Sequence, residues 1–202
     1  MEATPNARTV ESYEAIATDY ARETSGSGVL AGALARLREA VGAGRVLEIG
    51  SGPGWDADRL EDAGLTVRRT DVTQAFLDLQ RARGKEADRL DAINDDLGGL
   101  YDAVVMLHVL QHVEARDVPG VLRKVVDALR PGAWFLVSIP RGEGAGWEVG
   151  ESGRRYYRAL RSKEELLDAL GEVGLEPGWT DQSVDDDGWL AVLAQRRSSG
   201  TP

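Results

Sequence analysis

The chain has 202 residues, 42% of them hydrophobic and 29% charged, which suffices for one compact domain with a sizeable core. Its formal net charge is −10 at pH 7, so it repels phosphate backbones, and nucleic-acid partners are disfavoured. It has no cysteine, which excludes disulfides and thiolate metal sites and favours a reducing, cytoplasmic location. No apolar run is long enough to cross a bilayer, so no membrane partner is expected.

The predicted elements begin with a helical N-terminal region. Residues 1–8 are expected to be a disordered lead-in and residues 198–202 a polar tail. Between them, residues 9–197 are expected to form a single domain. Apolar and aromatic side chains recur at helical spacing in its first part, so residues 9–42 are predicted to form a helical lid.

Short apolar runs alternate with helical stretches over the rest of the domain. Strands are predicted over 45–49, 66–70, 86–90, 102–107, 134–139, 175–184 and 189–195, and helices over 56–63, 74–83, 116–129 and 163–173. Strands separated by helices predict a doubly wound α/β fold with a mostly parallel sheet. Only a short turn separates the last two strands, so that pair must be antiparallel.

A glycine-rich loop follows the first predicted strand. Residues 45–55 read RVLEIGSGPGW, with glycines at positions 50, 52 and 54 and an acidic residue, Glu48, before them. A dinucleotide-binding fingerprint needs glycine at position 55, where Trp55 would instead block a pyrophosphate. An NAD-dependent oxidoreductase is therefore disfavoured. The E-x-G-x-G-x-G pattern resembles motif I of the class I S-adenosylmethionine-dependent methyltransferases.

Four further segments resemble the same family, in the same order along the chain. They are Thr70–Thr73 after the second strand, Leu90–Ala92 after the third, 101–113 around the fourth, and Leu129–Ala133 before the fifth. The resemblance implies a Rossmann-like, seven-stranded sheet of order 3-2-1-4-5-7-6 whose last strand is antiparallel. It also implies S-adenosyl-L-methionine as cofactor and S-adenosyl-L-homocysteine as product.

The resemblance also indicates which residues would bind the cofactor. They are Tyr13, Tyr20, Glu48, Gly50, Ser51, Gly52, Gly54, Asp71, Val72, Phe76, Asp91, Ala92, Leu107 and His108. Glu48 would face the cationic part of the cofactor, Asp71 the ribose hydroxyls, and Asp91 with Ala92 the adenine. Alternatives remain: Glu48 could cap loop amides, Asp71 could cap the helix after Thr73, and the tyrosines could simply pack the lid.

Catalytic and acceptor-binding candidates follow the fourth and fifth strands. His108 and His112, spaced to share a helix face, are candidates for a general base or a structural role. The glycine-rich segment 140–157 is predicted to lack regular structure, and the family resemblance implies that it builds the acceptor pocket. Its candidates are Trp147, Arg154, Arg155, Tyr156 and Tyr157, with packing of the loop as the alternative.

The leading prediction is a methyltransferase that acts on O or N of a small-molecule acceptor, as a monomer or homodimer. The alternative is a non-catalytic S-adenosylmethionine-binding accessory or regulatory protein. No metal site is predicted, since Asp181 and the acidic run 185–187 are typical of a solvated turn.

Overall fold

The computed structural model describes residues 3–28, 30–181 and 188–198. The strands are β1 (Arg45–Ile49), β2 (Thr66–Asp71), β3 (Asp88–Arg89), β4 (Tyr101–Met106), β5 (Leu129–Pro140), β6 (Ala145–Val149), β7 (Arg155–Ala159), β8 (Leu175–Asp181) and β9 (Trp189–Arg196). The helices are α1 (Pro5–Thr24), α2 (Ala31–Val41), α3 (Trp55–Asp62), α4 (Gln74–Ala82), α5 (Val118–Ala128) and α6 (Lys163–Glu172), with a 3-10 turn over Leu110–His112. Within the described residues, no helix is both long and apolar enough to span a bilayer.

Seven strands form one sheet in the order β3-β2-β1-β4-β5-β9-β8. Strands β1 to β5 pair in parallel, whereas β9 is antiparallel to both β5 and β8. The predicted order 3-2-1-4-5-7-6 is therefore confirmed, with β8 and β9 as its sixth and seventh strands. The chain reverses direction across the sheet between β1 and β4, and this is where doubly wound folds bind their ligands.

The core lies on both faces of the sheet, because successive residues of a strand point to opposite sides. Leu47 of β1 packs in one cluster with α5 and α6, while its neighbour Val46 packs in a second cluster with α2 and α3. The same alternation holds for Val104 and Val105 of β4, each fully buried. This double coverage explains the continuous apolar run of β4.

Two sequence predictions are wrong. Helix α1 begins at Pro5, inside the expected lead-in, because the Thr4 side chain caps it and proline is favoured at the first helical position. The segment 140–157 is not irregular, since β6 and β7 pair as an antiparallel hairpin. The predictions for residue 29, for 182–184 of the sixth strand, for the acidic run 185–187 and for 199–202 of the tail lie outside the described residues.

Candidate active site

A cavity of about 500 Å³ opens at the carboxyl ends of β1, β2 and β4, beneath α1. Most of the predicted cofactor and catalytic residues line it: Tyr13, Tyr20, Gly50, Ser51, Gly52, Asp71, Val72, Phe76, Leu107, His108 and His112, together with Tyr156 from the acceptor set. Residues from distant parts of the chain, such as Tyr13 and Tyr156, thus meet around one space. This follows from the parallel strands, whose carboxyl ends share an edge of the sheet.

Several predicted residues do not line this cavity. Among the cofactor candidates these are Glu48, Gly54, Asp91 and Ala92, and among the acceptor candidates Trp147, Arg154, Arg155 and Tyr157. The Asp91 carboxylate instead accepts hydrogen bonds from the Ile93 amide at 2.9 Å and the Asn94 side chain at 2.7 Å. Asp91 therefore stabilises its own turn. Because it does not line the cavity, the cavity gives no evidence for the predicted contact with adenine.

Glu48 is the penultimate residue of β1, just before the glycine loop, and is 3% exposed. Its Oε2 atom has no hydrogen-bond partner among the described residues. Burial raises the pKa of Glu48 well above its usual value, and the nearby Asp56 carboxylate raises it further. A buried carboxyl oxygen without a donor is costly, so this loop suits a ligand that brings a donor or a positive charge.

The three glycines of the loop have positive φ and serve different purposes. A Cβ on Gly50 (φ +70°) would collide with the Val109 side chain, so this position is fixed by packing. A Cβ on Gly52 (φ +53°) would meet no atom within 4 Å, because Gly52 faces the open cavity. Gly52 thus leaves the clearance that an approaching ligand needs, and Gly50, which also lines the cavity, is in addition required by its packing against Val109.

Asp71 lines the cavity and also holds the loop together. Its Oδ2 accepts from the Gly52 amide at 2.8 Å and its Oδ1 from the Thr73 amide at 2.7 Å. Thr73 is the N-cap residue of α4, but its side chain makes no cap bond to that helix. Burial raises the pKa of Asp71. Because each carboxylate oxygen has two lone pairs, Asp71 keeps acceptor capacity for a ligand hydroxyl.

The start of α4 is capped instead from the lid helix. The Glu14 carboxylate of α1 accepts from the Gln74 amide at 2.6 Å and from the Ala75 amide at 2.9 Å. A carboxylate at a helix N-terminus satisfies free amides and interacts favourably with the helix dipole. This contact fixes α1 over the cavity.

The lid also bonds to the outer edge of β7. The Ser12 hydroxyl donates to the Arg155 carbonyl at 2.8 Å, and the Tyr157 amide donates to the Thr9 hydroxyl at 2.9 Å. An edge strand otherwise leaves such backbone groups unpaired. Lid and hairpin therefore form one connected wall of the cavity.

Aromatic side chains close the cavity under the lid. The Tyr13 ring lies 4.9 Å from Tyr156, 5.6 Å from Tyr20 and 5.8 Å from Phe76, measured between centroids. Burial, together with the neighbouring Tyr20 and Tyr156, raises the pKa of Tyr13. Tyr13 therefore stays a neutral phenol whose O–H can donate.

His112 has both ring nitrogens engaged. Its Nδ1 lies 2.7 Å from the Tyr157 carbonyl, which only accepts, so Nδ1 carries the proton. Its Nε2 lies 3.2 Å from the Tyr13 hydroxyl and accepts from it. Burial lowers the pKa of His112. In this arrangement His112 positions the lid and the hairpin, and it has no free nitrogen for a substrate proton.

His108 differs from His112 in its backbone conformation and in its contacts. Its φ is +58°, and the chain turns through a 3-10 segment after it, so the two histidines do not share a helix face as predicted. The His108 amide donates to Ser138 Oγ at 2.9 Å, and its ring packs edge-on against Trp189 at 4.2 Å. Burial, with a smaller contribution from Arg158, lowers the pKa of His108 to about 4. His108 is therefore neutral at pH 7, and its ring nitrogens bond to no described residue.

The hairpin presents alternate side chains to the cavity. Glu148, Tyr156 and Arg158 line it, and the Arg158 guanidinium pairs with Glu148 at 2.5 Å and lies 5.4 Å from the Trp189 ring centroid. The other face carries three of the predicted residues, Trp147, Arg155 and Tyr157, whose side chains contact one another. Arg154 lies exposed in the hairpin turn. Only Tyr156 of the predicted acceptor set therefore lines the cavity.

Sequence reasoning missed several residues of the cavity wall. They are Asn6, Thr9, Trp55, Asp56, Arg59, Gln111, Glu148, Arg158 and Trp189. Glu148 and Arg158 follow from the period of two in a strand, once the hairpin is recognised. No sequence signal marks Trp189, which reaches the cavity because β9 pairs with the end of β5.

The doubly wound sheet, the glycine loop and the cavity at the strand ends define a Rossmann-like, cofactor-binding class of domain. Comparison with known families is consistent with this class. Residues 20–177 match the model of the "Methyltransferase domain" family, and the chain belongs to that family.

Known relatives are distant. The chain is 25% identical over 152 residues to the ubiquinone biosynthesis O-methyltransferase of Bordetella avium, which covers 66% of this chain and 62% of that protein. It thus spans less than two-thirds of the length of this relative. Among solved structures, the DhpI–SAH complex matches with a TM-score of 0.81 at 22% identity, covering 99% of this chain and 100% of that one. The Burkholderia thailandensis 1,6-didemethyltoxoflavin-N1-methyltransferase, with bound 1,6-didemethyltoxoflavin and S-adenosylhomocysteine, matches with a TM-score of 0.76 at 18% identity, covering 98% and 92%.

Proposed function

We propose that this protein transfers a methyl group from S-adenosyl-L-methionine to an oxygen or nitrogen of a small-molecule acceptor. The observation that carries the proposal is one cavity that joins the glycine loop and Asp71 to the lid tyrosines and to His108. The solved DhpI structure, whose fold this chain shares over 99% of its length, was crystallised as an SAH complex. The family assignment supports the same reaction.

The charges around the loop suit a cationic cofactor. Asp56 and Asp71 line the cavity, Glu48 lies beside it, and burial raises the pKa of all three carboxyl groups. S-adenosylmethionine carries a sulfonium and an ammonium, which would stabilise the ionised carboxylates. The open space at Gly52, which lines the cavity, fits such a ligand.

The bound cofactor supplies a methyl group already activated by the positive sulfur. The protein has to align the acceptor and exclude water, and such ordering can contribute about 7–11 kcal/mol to a reaction barrier. Tyr13, Tyr20 and Phe76 close the lid over the cavity. His108 lines the cavity with a neutral ring whose nitrogens bond to no described residue, so it can accept a proton from a hydroxyl or an amine of the acceptor. His112 holds Tyr13 and the hairpin in place.

A small acceptor fits the remaining space better than a macromolecule. The cavity measures about 500 Å³ in all, and the cofactor takes much of it. Trp189 and Tyr156 offer flat faces against which a planar or apolar molecule can stack. The net charge of −10 argues against a nucleic-acid acceptor.

Calorimetry with S-adenosylmethionine and S-adenosylhomocysteine tests cofactor binding. Turnover is tested by measuring the release of S-adenosylhomocysteine in a screen of metabolites that carry hydroxyl or amine groups. Asp71→Asn should weaken binding of both compounds by about 1–3 kcal/mol. Asp168→Asn, on the exposed face of α6, is the matched control and should change nothing. Binding without turnover on any acceptor would favour the accessory-protein alternative, and no binding to a folded sample would refute the proposal.

A further inference from the structure

Gln80 of α4 is fully buried, although its side chain ends in a polar amide. It does not line the cavity, and the methyl transfer described above makes no use of it. Burying an amide is costly unless its donors and its acceptor find partners, so the partners of such a side chain indicate what it does. Here they are two residues of the glycine loop and Arg69 of β2.

The donors of this amide bond to the loop from behind. Gln80 Nε2 donates to the Gly52 carbonyl and to the Ser51 hydroxyl, each at 2.8 Å. Ser51 and Gly52 also line the cavity, whereas Gln80 does not, so the amide contacts the loop on the side away from the cavity. The Gly52 amide donates to Asp71 at 2.8 Å. Both backbone polar groups of Gly52 are therefore bonded to side chains.

The acceptor of the same amide is held by Arg69. Arg69 Nη1 donates to Gln80 Oε1 at 3.4 Å, and the arginine side chain is 1% exposed. Asp58 and Glu61 of α3 fix the guanidinium, with N···O distances of 2.6 Å and 2.8 Å. Because a guanidinium can only donate, it orients the amide with Oε1 towards Arg69 and Nε2 towards the loop. The network therefore fixes the two donors that hold the loop.

The third glycine of the loop is explained by the same contact. Gly54 belongs to the sequence pattern but does not line the cavity. A Cβ at this position would lie 2.6 Å from Gln80 Oε1 and 2.9 Å from Arg69 Nη1. Any larger residue would push these two side chains away from the loop. Gly54 is therefore required by the network behind the loop.

We propose that Gln80 is a positioning residue of the cofactor site: it holds residues 51–52 in the shape that binds S-adenosylmethionine, without touching the ligand. The inference rests on the proposed function. Gly52 has a φ of +53°, and glycine has more backbone freedom than any other residue, so a loop without Gln80 would sample other conformations. Only molecules with the correct loop shape bind, and the apparent affinity falls in proportion to their fraction. Gln80 thus removes an ordering cost from binding.

The test compares Gln80→Met with the wild type in calorimetric titrations with S-adenosylhomocysteine. Methionine keeps the length of glutamine and has no N–H donor, and we expect about a tenfold loss of affinity. Gln195→Met is the matched control, because Gln195 Nε2 also donates to a glycine carbonyl, that of Gly132 at 2.7 Å, and neither residue lines the cavity. Both variants should unfold at lower urea concentration. Gln195→Met should nevertheless bind within about twofold of the wild type.

Hydrogen exchange of the Gly52 amide reports the shape of the loop directly. In ligand-free Gln80→Met this amide should exchange at least about tenfold faster than in the wild type, and saturating S-adenosylhomocysteine should restore the slow rate. A variant that loses stability and keeps its affinity would show that Gln80 only supports the fold. Reduced affinity without faster exchange at Gly52 would equally overturn the inference.

The wild type supplies a test that does not require the variant to fold. In the ligand-free protein the side-chain amide protons of Gln80 should already be protected from exchange, and their signals should move little when S-adenosylhomocysteine binds. Protection that arises only on binding would overturn the inference, because the loop would then be ordered by its ligand. Failure of the proposed function would look different, since the wild type would bind no S-adenosylhomocysteine.

Discussion

Lowering the pH from about 7.5 to about 5 should destabilise the fold through His108. In the folded state burial lowers the pKa of this imidazole from 6.5 to about 4, with Arg158 and His112 contributing. Between these two values the unfolded chain binds a proton that the folded chain does not. Stability therefore falls as the pH falls through 6.5, and the loss is complete below about 4.

The two pKa values set the size of the effect. Linkage gives a loss of about 2 kcal/mol at pH 5 and of about 3 kcal/mol in the acid limit. The carboxyl groups of Glu48, Asp56 and Asp71 act in the opposite direction, because burial raises their pKa and folding then favours their protonated forms. The free energy of unfolding of the wild type therefore depends on pH through both effects. Subtracting the value for a variant that lacks only His108 leaves the contribution of the imidazole.

His108→Asn is the suitable variant, because asparagine tolerates the positive φ of +58° at this position. Urea unfolding, followed by tryptophan fluorescence at several pH values, gives the free energy of unfolding of both proteins. The free energy of unfolding of the wild type minus that of His108→Asn should fall by about 2 kcal/mol between pH 7.5 and pH 5. A constant difference, or an NMR titration of His108 with a midpoint near 6.5, would refute the argument for a buried neutral imidazole.

Three further predictions concern the lid and the loop. Glu14→Gln should lower the free energy of unfolding by about 1 kcal/mol and speed proteolysis within α1, because it removes the charge that caps α4. Glu23→Gln, on the same helix and exposed, is the control, and an equal effect there would contradict the capping role. Gly50→Ala should cost about 1–3 kcal/mol in urea unfolding through its clash with Val109. Gly52→Ala should cost about 1–2 kcal/mol for its left-handed backbone and also weaken binding of S-adenosylhomocysteine in calorimetry, and unchanged binding would show that the cofactor does not pass this position.

The parts of the site that were predictable from the sequence are those fixed by the sheet. The strand β1 was predicted to the residue, the mostly parallel sheet followed from the alternation of strands and helices, and the strand order was implied by the family resemblance. In a parallel sheet the residues after each strand meet at one edge, so Gly52, Asp71 and His108 converge on one cavity as expected. No detail of side-chain packing is needed for that conclusion.

Side-chain directions were not predictable in the same way. Whether Trp147 or Glu148 faces the cavity depends on the register of a hairpin whose glycine content concealed it. Asp91 was predicted to contact adenine, and the local pattern did not reveal that its carboxylate also accepts from the Ile93 amide of its own turn. The start of α1 was readable, since a threonine followed by proline is a helix-start signal. His112 is bound through both nitrogens only because α1 and β7 come together, a tertiary contact that no local pattern encodes.

The hydrogen bonds of Ser12 and Thr9 with β7 link the movement of the lid helix α1 to the position of the hairpin. The helix that covers the donor end cannot swing away without releasing the strand that shapes the acceptor end. In the methyltransferase proposed above, a movement of α1 that admits the cofactor would therefore also disturb the edge of β7, and we expect ordered binding in steady-state kinetics. S-adenosylmethionine would load first and its demethylated product would leave last, so that this product inhibits competitively against S-adenosylmethionine and non-competitively against the acceptor.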